Sequence, residues 1–312
     1  MNLAVCYLSR KKDSENLLWR FIESYRRHET GYPHDLIIIF KGYGEHDLSQ
    51  INERLKKIVI FEQLVLQDVG FDIGSYSEAA KRLKHHKILF LNSHSQILCK
   101  FWIEKFVNPI SRGNVVLVGA SGSYQSRYSS AFWSAPREKI TLKFLQTAVR
   151  TLKAYSRFPN AHIRTNAFLI ERQAFLGVTK KFKFESKEDC YYFESGRQGL
   201  TQTLRNQGFS VLVVGRDGIG YDIQSWERSK TFFSGSQENL LISDNQTTHY
   251  RDCSEDDRKY LNVVSYFELR NAFGLPMKAR NISFRVASFL FELFLEIFEI
   301  IYLRIKLKEI KQ

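Results

Sequence analysis

Apolar runs alternate with amphipathic stretches along the first two-thirds of the chain. Short apolar runs predict β-strands, and the stretches between them, with apolar residues at helical spacing, predict α-helices. The predicted strands are Leu3–Leu8, Leu36–Phe40, Ile58–Leu66, Ile88–Leu91 and Val115–Val118. The predicted helices are Glu15–Arg27, Leu48–Leu55, Gly74–Lys84 and Phe101–Phe106. This alternation indicates an α/β fold with a mostly parallel sheet flanked by helices.

Three further elements are predicted before the pattern weakens. "HIRTNAFLIER" (His162–Arg172) predicts a strand, and Phe193–Gly208 predicts a helix that ends at its glycine. Phe209–Gly215 is apolar enough to be another buried strand. From Arg216 to about Asp257 the sequence is polar and irregular, so we expect mainly loops there.

The C-terminal stretch has a different pattern. Residues 284–303 are dominated by Phe, Leu and Ile, yet Glu292, Glu296 and Glu299 fall in one narrow helical stripe. Three carboxylates argue against a membrane-spanning helix, because each is costly at the bilayer centre. Two alternatives remain: a helix lying in the membrane interface, or one packed on the body of the protein or on a second subunit.

Length and composition limit the possible domain organisation and cellular location of the protein. With 312 residues, 44% of them apolar, the chain can bury a substantial core, and we expect a domain over residues 1–277 and an amphipathic helix over 278–312. Four scattered cysteines without a CxxC pair are typical of reduced thiols in a cytosolic protein. The N-terminal apolar run precedes its charges, the reverse of an export signal, so we expect the chain to stay inside the cell.

The net charge of +13 favours an anionic partner. Nucleic acid, an anionic membrane surface and phosphorylated small molecules all match that charge. The basic residues form no long block, and no RNA-recognition, zinc-finger or helix-turn-helix signature is present, so nucleic acid is disfavoured. A solvated basic surface without a specific partner is the alternative.

The first candidate for chemistry follows the predicted strand Ile88–Leu91. That strand is apolar throughout, as expected of a strand buried on both faces of a parallel sheet. Such strands often carry functional groups at their carboxyl ends, where this chain has Asn92, Ser93 and His94. Asn92 and Ser93 are equally typical of turns or caps, and His94 of an exposed surface.

The order of these elements resembles that of GT-A-fold glycosyltransferases. "DVGFDIGSYSEAA" followed by "KILFLNS" is similar to their pattern of a glycine-containing turn and helix before a strand that ends in a DxD-like motif. The resemblance is greatest to family-two-like and rhamnan-synthesis-type bacterial enzymes, and it covers roughly residues 1–220. It implies a GT-A-like, Rossmann-type fold and a hexosyltransferase-type activity in cell-envelope polysaccharide biosynthesis.

The resemblance also implies partners and a location. A sugar would pass, with inversion, from a nucleoside-diphosphate donor to a hydroxyl group of a lipid-linked or polysaccharide acceptor. The enzyme would lie at the inner face of the cell membrane. The alternatives are a non-catalytic GT-A-like partner in a polysaccharide-assembly complex, and a Rossmann-type nucleotide enzyme built around "VGASGS". The last lacks the acidic residue expected after the next strand.

Carried over to this sequence, the resemblance implies a donor site. Ser9 would line the nucleotide pocket, Asp72 would lie near the base or ribose, and Asn92, Ser93 and His94 would take the DxD position. In such enzymes the aspartates hold a divalent cation, Mn or Mg, that offsets the diphosphate charge. No carboxylate stands at this position here. Either His94 ligates a metal with other residues, or basic side chains replace the metal, or the site is inactive.

The catalytic candidate is Glu194. The resemblance implies an acidic residue at a helix start, about a dozen residues before a glycine and a final strand, that takes the proton from the acceptor hydroxyl. Glu194 stands fourteen residues before Gly208, and Glu188 and Asp189 lie further upstream. The alternative is that Glu194 only favours a helix N-terminus electrostatically.

Other polar residues are candidates for binding. The resemblance implies that Arg164 and Asn166 face the acceptor, where they would bind phosphate or sugar hydroxyls, although ordinary polar strand residues are common. Asp244, Asn245 and His249 would close over a substrate or belong to a solvated loop. "VGASGSYQSRY" (Val118–Tyr128) would offer backbone N–H groups to a phosphate or form a flexible loop over the pocket.

Overall fold

The computed structural model describes residues 2–111, 113–128, 150–151 and 153–267. Its strands, in chain order, are β1 (Leu3–Arg10), β2 (Asp35–Lys41), β3 (Glu62–Leu66), β4 (Lys87–Leu91), β5 (Gln96–Ile97), β6 (Val115–Gly119), β7 (Gly122–Ser123), β8 (His162–Ile163), β9 (Ala167–Glu171), β10 (Ser210–Val214), β11 (Gly220–Tyr221) and β12 (Ile242–Ser243). Eight of them form one sheet in the order β11-β10-β6-β9-β4-β1-β2-β3. Two small ladders, β5 with β12 and β7 with β8, accompany it.

The sheet is mostly parallel. Strands β3, β2, β1 and β4 run in one direction, as do β6 and β10 with each other. Strand β9 is antiparallel to its neighbours β4 and β6, and β11 is antiparallel to β10. The chain builds outward from β1 to β3 and then returns to place β4 on the other side of β1. This reversal is the topological switch point at which doubly wound sheets bind ligands.

Helices cover both faces of the sheet. They are α1 (Glu15–Arg27), α2 (Glu45–Lys56), α3 (Phe71–Arg82), α4 (Trp102–Ile110), α5 (Arg172–Thr179), α6 (Lys187–Ser195), α7 (Leu200–Asn206), α8 (Asn245–Asp252) and α9 (Glu255–Tyr266), together with a 3₁₀ turn at Ile223–Ser225. Of the described helices, none has both the length and the apolar character needed to cross a bilayer. The α/β fold predicted from the sequence is confirmed.

Two separate cores explain why the strands are continuous apolar runs. Successive side chains of a strand point to opposite faces of the sheet. In β1, Cys6 and Leu8 pack in one core with α3, α5, α6 and α7. Val5 and Tyr7 pack in the other core with α1, α2 and α4. Because both faces are covered, Leu3 to Leu8 are all apolar, and this part of the strand shows no polar alternation; the polar Ser9 and Arg10 stand only at its carboxyl end.

The predicted strand Ile58–Leu66 was too long. Only Glu62–Leu66 joins the sheet, and Ile60 before it is 97% exposed. Strand β3 lies at the edge and pairs only with β2, so the residues before it have no partner that would keep them extended in the sheet. An apolar run alone does not show where an edge strand begins.

The predicted helix Phe193–Gly208 is two helices with a break between them. Helix α6 ends at Ser195 and α7 begins at Leu200. A Cβ atom at Gly196 would lie 2.1 Å from Cδ2 of Tyr192, so only glycine fits at that turn. Glu194 therefore lies in the last turn of a helix, whereas the sequence placed it at a helix start.

Other differences concern the regions around the sheet. The predicted strand His162–Arg172 is interrupted by a turn, and only its two ends, β8 and β9, are extended. Helix α8 and the first turn of α9 lie where loops were predicted. The predicted boundary at residue 277 and the amphipathic helix over 278–312 lie outside the described residues. The four cysteines are free thiols, with Cys6 buried and the other three partly buried.

We expect Gly119→Ala to destabilise the protein by about 1–3 kcal/mol, the usual cost of overpacking a core. A Cβ atom at Gly119 would lie 2.5 Å from Cγ2 of Ile163, so β6 or β8 must shift. Gly177→Ala in α5 is the control, because a Cβ atom added there would meet no neighbouring heavy atom within 4 Å. Its free energy of unfolding should rise by up to about 1 kcal/mol, since alanine favours a helix interior. Urea denaturation measures both changes, and equal stabilities would contradict the close packing of Ile163 on β6.

Candidate active site

The candidate site lies along one edge of the sheet. Strands β1, β4 and β6 end at this edge, and β9 begins there because it runs in the opposite direction. The segment after β4 and the turn before β9 are joined by a hydrogen bond from the Asn92 backbone N–H to the Asn166 carbonyl, 2.8 Å long. The predicted donor and acceptor residues therefore lie on adjacent segments.

Hydrogen bonds join the ends of β1 and β4 at the switch point. The Ser93 hydroxyl donates to Oδ2 of Asp13 (2.6 Å), and the Tyr7 hydroxyl donates to the Ser93 carbonyl (2.8 Å). The hydroxyl groups of Ser9 and Tyr43 lie 2.8 Å apart. These bonds tie together the segments that follow β1 and β4, beside the position where doubly wound sheets have their binding crevice.

Charged side chains surround this crevice. Nη1 of Arg10 lies 3.2 Å from Oδ1 of Asp72, and Nζ of Lys12 lies 2.9 Å from Oδ2 of Asp68. Lys41 has a side chain only 1% exposed, which donates a hydrogen bond to the Phe71 carbonyl and lies 3.8 Å from Asp68. The region thus holds three cations, each beside a carboxylate.

Burial shifts the pKa values of two of these groups. The pKa of Lys41 is lowered, first by burial and then by the positive charge of Arg10. The pKa of Asp72 is raised by burial, and the charges of Arg10 and Lys41 oppose that rise without cancelling it. Both shifts favour the neutral form of the group concerned.

The three residues at the DxD position have different environments. Oδ1 of Asn92 accepts hydrogen bonds from the His94 N–H (3.1 Å) and the Ser95 hydroxyl (3.0 Å), so Asn92 forms the turn that the sequence offered as an alternative. Ser93 is buried and bonded to Asp13. Within the described part of the chain, no group hydrogen-bonds to the half-buried imidazole of His94. This imidazole lies close enough to Asp72 for its charge to act against the rise in the pKa of Asp72.

The residues near His94 do not fit a divalent cation site. Among the described residues, no three His, Cys, Asp or Glu side chains are placed to hold a metal ion. Asp72 is paired with Arg10, and Asp13 accepts a hydrogen bond from Ser93. The described residues therefore do not supply the additional ligands that the predicted role of His94 as a metal ligand requires.

Glu194 lies at the same edge, fixed by one of its two oxygens. Oε2 accepts hydrogen bonds from the Thr165 N–H (2.8 Å) and the Thr165 hydroxyl (2.6 Å). No described residue donates a hydrogen bond to Oε1. Burial raises the pKa of Glu194, but Arg164, His162 and the bonds from Thr165 together outweigh it and hold the pKa below its ordinary value. The lowered pKa favours the ionised carboxylate, and Oε1 is left without a donor among the described residues.

The position of Glu194 in α6 excludes the helix-dipole alternative. A negative charge near a helix C-terminus is unfavourable, so Glu194 does not stabilise the start of a helix. The first turn contains Glu188 and Asp189 instead. Asp189 forms a capping box with Ser186, and Glu188 accepts a hydrogen bond of 2.6 Å from the Tyr155 hydroxyl.

Arg164 and Asn166 lie in the turn between β8 and β9. Oδ1 of Asn166 accepts a hydrogen bond of 3.0 Å from the Ser121 hydroxyl. The guanidinium carbon of Arg164 lies 4.2 Å from the centroid of the Phe232 ring, and Nη2 lies 3.9 Å from Oδ2 of Asp244. Because the turn interrupts the predicted strand, both side chains belong to the sheet edge.

The two halves of the site are also joined by helices. Helix α3, which carries Asp72, packs against α6, which carries Glu194. The charge of Asp72 consequently contributes to the raised pKa of Cys190 in α6, after burial itself. The helix that carries Glu194 is thus packed directly on the helix that carries Asp72.

Sequence reasoning missed several residues of this region. Thr165, Asp13 and Lys41 carry no motif that would identify them, because their partners are distant in the chain. Asp244 is buried as the N-cap of α8, with Thr247 completing the capping box, whereas Asn245 and His249 are exposed. The Asp-x-x-Thr spacing was the available signal for that helix start.

The glycine-rich "VGASGSYQSRY" does not form an open phosphate loop. The N–H groups of Ala120, Tyr124 and Gln125 are hydrogen-bonded within the protein. A Cβ atom at Gly122 would lie 2.6 Å from the ring of Trp226, so this glycine permits close packing.

Comparison with known proteins leaves the family undefined. No family model matches the chain, and no curated protein sequence matches it. Among solved structures, the chain is similar to a mannosyltransferase from Pyrobaculum calidifontis in complex with GDP-Man and Mn2+. The TM-score is 0.43 at 9% identity, over 74% of this chain and 60% of that one, so the chain spans less than two-thirds of that protein's length.

We expect stability to fall as the pH drops below about 6.5, in part because of His162. Burial lowers the pKa of His162, which contacts the Asn160 carbonyl through Nδ1 at 2.8 Å. The unfolded chain then binds a proton more readily than the folded one, so stability present above pH 6.5 is lost on acidification by up to about 1.4 kcal/mol per pH unit.

Melting temperatures between pH 7 and pH 5 measure this effect. His162→Gln should reduce the slope, and His249→Gln, at an exposed position, should not. His34, whose pKa burial also lowers, supplies part of the remaining slope. An unchanged slope in His162→Gln would contradict a neutral, buried His162.

Proposed function

We propose that the chain is a glycosyltransferase that moves a sugar, with inversion, from a nucleoside-diphosphate donor to a hydroxyl group of an acceptor. One observation carries the proposal. The carboxylate of Glu194, whose pKa is lowered, is anchored by Thr165 at one oxygen, and no described residue donates a hydrogen bond to the other; it lies at the same sheet edge as the charged residues of the switch point. A base and a nucleotide-type crevice side by side are the two parts that transfer from such a donor requires.

The donor would lie in the crevice between β1 and β4. Doubly wound sheets bind nucleotides outside the carboxyl ends of their strands at the switch point. Ser9 and Ser93 line the walls there, Arg10 and Lys41 would face the diphosphate, and Asp72 would accept hydrogen bonds from the ribose or base. Buried cations near a diphosphate act strongly, because low local polarity strengthens charge interactions.

Basic side chains would take the part that a divalent cation plays elsewhere. Arg10, Lys12 and Lys41 stand around the crevice, and His94 adjoins it. The incoming phosphates would replace the carboxylates with which these cations are now paired. We therefore propose that Mn2+ or Mg2+ contributes little to donor binding.

Glu194 would act as the general base. Its Oε1 would take the proton of the acceptor hydroxyl while that oxygen attacks the anomeric carbon of the donor. The bond between the anomeric carbon and the diphosphate oxygen breaks, and the nucleoside diphosphate leaves with the electron pair. A single displacement inverts the anomeric configuration. Thr165 would hold the carboxylate in place during the transfer.

The acceptor would bind beside Arg164 and Asn166, in the half of the site that contains Glu194. A lipid-linked or polysaccharide acceptor and a peripheral location on the inner face of a bacterial membrane agree with the net charge of +13, which attracts anionic lipids. In this proposal the enzyme serves cell-envelope polysaccharide biosynthesis.

A second candidate function is a non-catalytic partner in a polysaccharide-assembly complex. The observation that favours it is the pairing of the crevice cations with Asp68 and Asp72, together with the missing set of three metal ligands among the described residues. The open carboxylate of Glu194 favours catalysis instead.

We expect Glu194→Gln to reduce turnover about 10²–10⁴-fold, the usual contribution of a positioned acid or base. Glutamine keeps the shape and still accepts both bonds from Thr165, so nucleotide binding should persist. Transfer and donor hydrolysis would be measured with UDP-, GDP- and dTDP-sugars. Glu188→Gln in the same helix is the control and should remain active, whereas Asp189→Asn also alters a helix cap. Turnover within tenfold of the wild type in Glu194→Gln would sink the catalytic proposal.

We also expect UDP, GDP or dTDP at millimolar concentration to raise the melting temperature, because a ligand of the folded state stabilises it by mass action. Arg10→Gln should diminish the rise. Arg54→Gln removes an arginine–carboxylate pair of the same 3.2 Å length on the outer surface and should leave it unchanged. EDTA should have little effect. A protein that responds to none of these nucleotides, or only with Mn2+, would contradict the proposed donor site.

A further inference from the structure

Buried polar atoms without partners mark a place beside Glu194. Nε of Arg164, Nδ2 of Asn166 and Oδ2 of Asp244 have no hydrogen bond to any described residue. Asn166 is only 5% exposed and Asp244 only 2%. Folded proteins pair the great majority of buried polar groups, because an unpaired one is costly. Three such atoms on neighbouring side chains indicate a site that a ligand completes.

Tertiary contacts bring these three side chains together. Nη2 of Arg164 lies 3.9 Å from Oδ2 of Asp244. Strand β12, which immediately precedes Asp244, pairs with β5 in the register Ser243 to Gln96. The residue before β5, Ser95, donates a hydrogen bond to the Asn166 carbonyl at 3.4 Å. Asp244 and Asn166 therefore flank the same short segment.

Each side chain is held by its remaining atoms. Oδ1 of Asn166 accepts a bond from Ser121, and Oδ1 of Asp244 accepts bonds from the Thr247 N–H (2.8 Å) and hydroxyl (3.0 Å). The guanidinium of Arg164 packs on the ring of Phe232. The unpaired atoms are thus fixed before any ligand arrives, which lowers the entropic cost of binding.

The charge of this place selects the kind of ligand. Arg164 lies beside two carboxylates, those of Asp244 and Glu194, so the group carries a net negative charge. Burial lowers the pKa of the neighbouring His162 and so disfavours a compensating positive charge there. A phosphate would be repelled, whereas hydroxyl groups both donate and accept hydrogen bonds. The atoms present, two donors and one acceptor, match hydroxyl groups, which can accept from the donors and donate to the acceptor.

We propose that Arg164, Asn166 and Asp244 form a subsite for hydroxyl groups of a neutral sugar, and that Asp244 excludes anionic sugars from it. Hydroxyl oxygens would accept from Nε of Arg164 and Nδ2 of Asn166, and a hydroxyl would donate to Oδ2 of Asp244. That this sugar is the acceptor rests on the proposed function; the binding preference itself does not. The sequence left phosphate and hydroxyl groups open as ligands of Arg164 and Asn166, and Asp244 favours hydroxyl groups.

The test measures binding directly by saturation-transfer NMR on the full chain. The probes are a panel of methyl hexopyranosides and the matching hexose 6-phosphates. Each is measured in the presence of the nucleoside diphosphate that raises the melting temperature most. If no nucleoside diphosphate raises the melting temperature, the probes are measured without nucleotide. The wild type should bind at least one hexopyranoside and discriminate against its phosphate. Asp244→Asn keeps the helix cap, since asparagine is an equally good N-cap. This variant should bind the hexopyranoside about 10-fold or more weakly, the effect of losing a hydrogen bond to a charged group. The difference in affinity between the hexopyranoside and its 6-phosphate should also become smaller.

Controls separate this inference from the proposed function. Asp189→Asn changes another capping-box aspartate, at the start of α6, and should leave the binding of both the hexopyranosides and the hexose 6-phosphates unchanged. Asp244→Ser supplies a second N-cap variant without the charge, should Asp244→Asn not fold. The proposal is overturned if no hexopyranoside binds the wild type, if the phosphates bind better, or if both Asp244 variants bind like the wild type. Nucleotide shifts in melting temperature and the turnover of Glu194→Gln test the proposed function independently.

Discussion

Strand β9 runs antiparallel between β4 and β6, and its direction decides where the candidate site can form. It pairs with β4 in the register Leu89 to Leu169 and Phe90 to Phe168, with all four side chains fully buried. A slip of one residue would turn every side chain of β9 toward the core on the opposite face of the sheet, so the register is strongly determined. The start of β9, with Arg164 and Asn166 just before it, is consequently held beside the end of β4.

The two halves of this edge differ in their charges. Around the switch point three cations, of which only Lys41 is fully buried, lie beside carboxylates, and in the proposed function phosphates replace those carboxylates. Beside Glu194, one arginine is shared by two carboxylates, and the surroundings favour neutral hydroxyl groups. In the proposed function this difference keeps the diphosphate in one half and the acceptor in the other, with the reacting carbon between them.

The placement of Glu194 depends on how its helix ends. Helix α6 stops at Ser195 because Gly196 lies against the ring of Tyr192, where no other residue fits. The carboxylate in the last turn then reaches Thr165 in the turn before β9, which donates both its N–H and its hydroxyl. The apolar pattern predicted one continuous helix over this segment, and that prediction did not indicate the contact between Glu194 and Thr165.

The sequence alone determined the layered architecture, since strands buried on both faces must be continuous apolar runs and surface helices must be amphipathic. Helix α1 has the predicted bounds, Glu15–Arg27, because its cap and periodicity are local. The tertiary structure decided the direction of β9, the turn at Asn92, the partners of Glu194 and the burial of Asp244. Each of these depends on contacts between residues far apart in the chain, as between Thr165 and Glu194 or Arg164 and Asp244. Local patterns carry no information on which distant segments meet, because that is settled by how the two cores pack.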